Sequence, residues 1–133
     1  MARAAESVWM VHARTGLQGL QGALVLEERR LVFRPASPRA GEAVFELADV
    51  KRVRRAPASP VLEIHLRAGF PRVVGFYFVE PPSLTEAELG RFRLLPRKWL
   101  ARRQAVVKLR QGNALRGAEV DGWVEAIRAA LAS

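Results

Sequence analysis

The spacing of apolar residues changes once along this chain, at Pro81-Pro82. Before that point apolar side chains recur at every second residue, in short runs broken by turn chemistry. After it they recur at helical spacing. The first pattern fits strands buried on one face and the second fits amphipathic helices. The chain is therefore predicted to be mainly β-structure closed by a helix.

Val8, Met10 and His12 alternate with Trp9, Val11 and Ala13 in a run that Thr15-Gly16 closes. Leu20, Gly22, Leu24 and Leu26 share one face of the next run. Glu27-Glu28-Arg29-Arg30 then turns the chain into Leu31-Val32-Phe33, which Pro35 ends. A short charged turn between two strands predicts a hairpin, and hence antiparallel pairing. Beyond the loop at 36–41, a strand through Val44-Phe45-Glu46-Leu47 leads by a bulge, or by a new strand, into 50–55. Pro57-Ala58-Ser59-Pro60 breaks the chain, and runs at 61–66 and 73–79 follow around a turn through Gly69 and Pro71. Short strands at this spacing predict a sandwich or small barrel.

Past the prolines, Ser83 to Gly90 has an N-cap residue, early acidic residues and a terminal Gly, which predicts a short helix. Pro96 opens a second helix over about Arg97 to Gln111, with Gly112-Asn113 as its stop. Leu95, Trp99, Val106 and Leu109 share one narrow face of it, with Arg102 on that same face. Val107-Lys108-Leu109-Arg110 also alternates, so a strand over 105–110 competes with the helix. The last segment, Glu119 to Leu131, carries Val120, Trp123, Val124, Ile127, Ala130 and Leu131 in one stripe. Its acidic residues lie early and Arg128 lies late, as the helix dipole favours. Trp123 is its predicted anchor on the β-structure.

At 133 residues the chain fits one domain, 1–133, able to bury a core unaided. It has no cysteine, which excludes disulfides, thiol catalysis and thiolate metal sites. No apolar run approaches the ~20 residues of a membrane span, and the N-terminus lacks the apolar core of a signal peptide. A cytoplasmic protein is expected.

Charge is segregated. Between Leu89 and Ala118 lie nine basic residues and no acidic one, while the rest of the chain balances thirteen against thirteen. The whole formal charge of +9 therefore resides in this segment. A field of one sign points to an anionic partner: a lipid surface, an acidic protein or a nucleic acid.

About seven antiparallel strands capped by an amphipathic helix with a central Trp resembles the pleckstrin-homology-like superfold, and within it the GRAM domains and bacterial proteins like them. Three pieces carry the resemblance: 22–33 around its charged hairpin turn, Phe45-Glu46-Leu47-Ala48-Asp49-Val50-Lys51-Arg52-Val53, and Trp123-Val124-Glu125-Ala126-Ile127. The resemblance implies a seven-stranded barrel or sandwich, and a membrane-targeting or protein-docking module, usually without catalysis. Phosphoinositide-binding members place several basic residues between the first two strands. Here that region reads Arg14-Thr15-Gly16-Leu17-Gln18-Gly19, which argues against inositol-phosphate recognition there. The segment 80–117 is insertion-like and carries extra helix before the closing one.

Arg91, Arg93, Arg97, Lys98, Arg102, Arg103, Lys108 and Arg110 are the candidate anionic-surface residues, with acidic phospholipid the simplest partner. Lys51, Arg52, Arg54 and Arg55 form a secondary basic cluster, continuous with the first only if the fold brings the two together. An acidic protein is the alternative partner. Nucleic acid ranks behind both, because no recognisable binding module is present. A solvated face without a partner is the bland reading of the same charges. His12 and His65 lack metal-ligand spacing, and no nucleophile elbow or phosphate-binding loop is present, so neither an enzyme, a metal site nor a cofactor is expected.

Overall fold

The structure, a computed structural model, describes residues 3–12, 19–37, 39–57, 59–69, 71–81 and 99–132, with the backbone alone at 99–103 and 105. Seven strands form one antiparallel sheet: β1 (Arg3–Val11), β2 (Leu20–Leu26), β3 (Arg30–Pro35), β4 (Ala43–Glu46), β5 (Val50–Arg55), β6 (Val61–Leu66) and β7 (Val73–Tyr77). Their spatial order is β4-β3-β2-β1-β7-β6-β5. A helix, α1 (Trp99–Leu131), follows.

The sheet is two meanders, β1–β4 and β5–β7, joined on β1, which pairs with β2 on one side and β7 on the other. The period-two residues of both meanders meet in one core. Leu24, Leu26, Leu31 and Phe33 come from the first, and Val53, Leu62, Ile64, Val74 and Phe76 from the second. Phe33 and Phe76 stand 6.0 Å apart between ring centroids. A sheet whose two halves share a core is folded onto itself. Its edges, β4 and β5, are linked by a 3-10 turn at Leu47–Asp49, and α1 packs on β5, β6 and that turn. Val120, Trp123, Val124 and Ile127 fill the open corner from α1, all of them buried. This is the pleckstrin-homology-like architecture: a seven-stranded antiparallel sheet with a closing C-terminal helix.

β1 begins at Arg3, earlier than the apolar alternation at Val8 suggests, and is bulged between Ala5 and Val8. Ser7 there takes φ 54°, a left-handed conformation uncommon for a side-chain-bearing residue. The run at 73–79 is strand only to Tyr77, and 50–55 is a new strand after the 3-10 turn.

The stop expected at Gly112-Asn113 is absent, because α1 is one continuous helix of 33 residues. Gly112 does not break it; it lets the helix approach the barrel. A Cβ built there would lie 2.7 Å from Val79 Cγ1 and 3.1 Å from Pro60 Cγ. Asn113 does not cap the helix either, since its side-chain oxygen accepts a hydrogen bond from Arg55 Nη1 at 2.8 Å. The segment 105–110 is helical, not a strand. Leu109 is buried with Val11, Ala56, Val61 and Tyr77 on the outer side of the sheet, so that part of the stripe does pack on the barrel. The short helix expected over 83–90, Leu95 of the stripe and Pro96 lie outside the described residues.

Candidate anion-binding surface

Residues 99–118 of α1 contain no acidic side chain; the first is Glu119. At 100° per residue, Val107, Gln111, Ala114, Leu115 and Ala118 occupy the side opposite Leu109, and all five are exposed, Leu115 to 83%. Arg110 borders this face, exposed and without a partner among the described residues. Lys108 borders its other side and, among the described residues, meets only Glu80, at 3.7 Å between two well-exposed groups. Such an exposed contact leaves the lysine available. Arg102 and Arg103 lie on the first turns of α1. Arg91, Arg93, Arg97 and Lys98 lie outside the described residues.

Arg116, the last cation of the acid-free segment, is inward and structural. Its guanidinium donates to the carbonyls of Phe78 (2.7 Å), Ser7 (3.0 Å) and Glu6 (3.3 Å), and pairs with Glu119 at 2.8 and 3.0 Å. It satisfies carbonyls that the β1 bulge frees from ladder pairing.

The second cluster divides. Arg54 pairs with the buried Glu63 at 3.1 Å, and Arg55 pairs with Asp121 at 3.0 Å. Lys51 and Arg52 are exposed and have no partner among the described residues. They line an open groove of about 540 Å³ with Val53, Arg54, Arg128, Leu131 and Ala132. This groove lies at the C-terminal end of α1, whereas Arg110 lies toward the other end. The twenty-one residues from Arg110 to Leu131 span ~32 Å of helix at 1.5 Å per residue. Arg55, between the two, is neutralised. Among the described residues, Lys108 and Arg110 thus lie apart from Lys51 and Arg52.

The contribution of Arg128 to the groove has no signal in local sequence, because it depends on α1 running back along β5. Its Nη2 donates to the Val53 carbonyl at 3.2 Å.

His65 is accounted for by Glu63, whose carboxylate lies 2.6 Å from its Nε2. Among the described residues no group of His, Asp or Glu is placed to hold a metal ion. No helix of the described residues is long and apolar enough to cross a membrane.

No family model and no curated protein matches the sequence. Among solved structures the chain is similar to the Vps36 N-terminal PH domain, at 20% identity over 80% of this chain and 77% of that one, with a TM-score of 0.49. It is also similar to a chain of the Spt16D Pob3N heterodimer, at 12% identity over 56% of this chain, with a TM-score of 0.42. In that case it spans 39% of the other chain's length.

Proposed function

We propose that this chain is a non-catalytic, GRAM-type binding module, cytoplasmic and bacterial, that makes peripheral contact with an anionic surface, most simply acidic phospholipid at the inner face of the membrane. The observation behind this reading is the continuity of α1. Its C-terminal half is fixed in the barrel corner by Trp123 and Ile127, and its acid-free half extends from that anchor as one helix. Arg102, Arg103, Lys108 and Arg110 are thus carried along one helix.

Their placement works against the helix itself. The positive end of the dipole lies at the N-terminus, where each exposed cation costs about 0.3–1 kcal/mol. Arg102 and Arg103 sit on these first turns, which carry no acidic residue of their own. A gain of about 1 kcal/mol for each cation near an anionic leaflet outweighs that cost. Four or five acting together give reversible, salt-sensitive binding. Val107 and Leu115, exposed beside Lys108 and Arg110, add apolar surface to the same face.

Vesicle co-sedimentation tests the reading, with anionic against zwitterionic lipid at low and physiological salt. The expected result is salt-sensitive binding to anionic vesicles only, lost when Arg97, Lys98, Arg102 and Arg103 are all replaced by Ala. No binding at physiological salt would remove the lipid reading and leave an acidic protein as the first partner. Length-dependent capture of nucleic acid with a steep salt slope would replace both.

A further inference from the structure

We propose that the exposed face of α1 is a self-association site, on which a second copy of this chain docks its own α1 antiparallel, about a two-fold axis beside Leu115. The inference does not rest on the lipid reading, although a leaflet and a second copy would compete for the face.

The spacing of small and apolar residues gives the first reason. Val107, Gln111, Ala114 and Ala118 follow one another at intervals of four, three and four, the spacing of a helix-pairing seam. All four are exposed, and they lie within ~60° of one another around the helix. The two alanines let a facing helix come close. Leu115 stands at one flank of the seam, 83% exposed, where a facing copy would remove it from water. The barrel packs on the opposite side of α1, against Leu109, Val120, Trp123 and Ile127. The two barrels therefore lie outside the helix pair and do not collide.

The order of charge along the face gives the second reason and identifies the partner. Lys108 and Arg110 border the N-terminal part of the seam, and the same stripe continues past Ala118 into Asp121 and Glu125. A parallel copy would set Arg110 against Arg110 and Asp121 against Asp121, which repel. An antiparallel copy sets each Arg110 against the other's Asp121, because the two positions share one flank, ~20° apart. Leu115 is the residue nearest the midpoint between them, so the two Leu115 side chains meet at the axis. Each contact then occurs twice, as a self-complementary two-fold interface requires. Arg110 and Glu125 have no partner among the described residues. Asp121 keeps its side chain 54% exposed in its pair with Arg55.

The formal charge of +9 on each chain opposes the approach. At physiological salt that repulsion is screened beyond ~8 Å, while the facing pairs lie inside this length. A seam of about three turns buries less than the ~1,200 Å² at the lower end of stable complexes. The dimer is therefore reversible, with a dissociation constant in the upper micromolar range.

Sedimentation equilibrium of the full chain at physiological salt, from micromolar to millimolar, tests the proposal. The parent is expected to pass from monomer to dimer. Arg110→Glu and Asp121→Arg are each expected to weaken association by about tenfold or more. Mixed in equal amounts, the two variants regain both pairs in a heterodimer and should associate within about threefold of the parent. Leu115→Ser should weaken association by about tenfold, and leaves the Arg55–Asp121 pair untouched. Melting curves check that each variant folds, as expected where an exposed ion pair contributes little. A parent that stays monomeric at millimolar concentration would overturn the proposal. Parent-like association of Leu115→Ser, or a mixture that associates no better than its two components, would overturn it as well.

Discussion

Arg116 Nη1 donates to the Phe78 carbonyl at 2.7 Å while its guanidinium carbon stands 4.9 Å from the centre of the Phe78 ring. The same side chain reaches the bulge of β1 through Ser7 and Glu6. One residue of α1 thus holds β1, the end of β7 and the helix in register. Arg116→Ala leaves those carbonyls and Glu119 without their donor, and a hydrogen bond to a charged group contributes about 1.5–3 kcal/mol. A loss of at least ~2 kcal/mol is expected in urea denaturation. Arg116→Lys should recover only part of it, because an ammonium cannot fork as a guanidinium does. An unchanged midpoint for Arg116→Ala would remove this structural role.

Gly112→Ala is expected to destabilise, against the usual helix preference of ~1 kcal/mol for Ala over Gly. The new methyl would collide with both Val79 methyls, at 2.7 and 2.9 Å, and Val is stiff at χ1. Overpacking of this kind costs about 1–3 kcal/mol. Gly41, with nothing within 4 Å of its built Cβ, serves as the control and should change little. A stabilised Gly112→Ala protein would show that the helix can move away from the barrel freely.

Trp123 is 1% exposed, lies edge-on to Phe78 at 6.4 Å, and has the Arg3 guanidinium 5.6 Å from its ring centre. Trp123→Ala should cost about 3–5 kcal/mol and be read as a large fall in melting temperature. Trp123→Phe should cost less, because the edge-on contact survives in part. A Trp123→Ala protein that melts with the parent would contradict this packing.

Tyr77 is the chain's only tyrosine, and its buried hydroxyl has no hydrogen-bond partner among the described residues. Burial, with a smaller effect from nearby Glu63, pushes its ionisation above the ordinary value of 10.0. Because the folded state keeps the proton that the unfolded state loses, this contribution to stability is complete below pH 10 and declines as pH rises beyond it. Ultraviolet titration should show no phenolate until the alkaline transition unfolds the chain. Tyr77→Phe should be neutral or slightly stabilising, as it removes an unpaired buried polar group, and should reduce the alkaline sensitivity. Normal titration near pH 10 in the folded protein would mean that the hydroxyl is solvated.

On anionic vesicles at low salt, Arg110→Ala should weaken binding by about fivefold, the equivalent of ~1 kcal/mol for one surface cation. The effect should shrink as salt shortens the Debye length. Co-sedimentation at two ionic strengths measures it, and equal binding by parent and variant at low salt would exclude Arg110 from the contact.

The strands were legible because alternation and turn chemistry are local: Leu24, Leu26, Leu31 and Phe33 are buried as their spacing predicts. Val120, Trp123, Val124 and Ile127 were legible in the same way on α1. What local pattern could not carry was any role created by a distant partner. Gly112 reads as a breaker until Val79 and Pro60 stand against it. Arg116 counts as a surface cation until the β1 bulge supplies its carbonyls. Arg54 and Arg55 join the exposed cluster until Glu63 and Asp121 neutralise them. The distance of Lys108 and Arg110 from Lys51 and Arg52 follows from the course of α1 along β5, which no residue spacing encodes.

β1 sits at the centre of the sheet although it is the first strand made, and its pairing with β7 joins Trp9 to Tyr77. A growing chain therefore carries β1 to β4 as a meander with one side of β1 unoccupied until β7 has been synthesised. During that interval the open side can accept β7 from another copy as readily as its own, the route to strand exchange between molecules. Slow translation between Pro35 and Val73 would lengthen the exposure, and fast delivery of β5 to β7 would close the seam within one molecule.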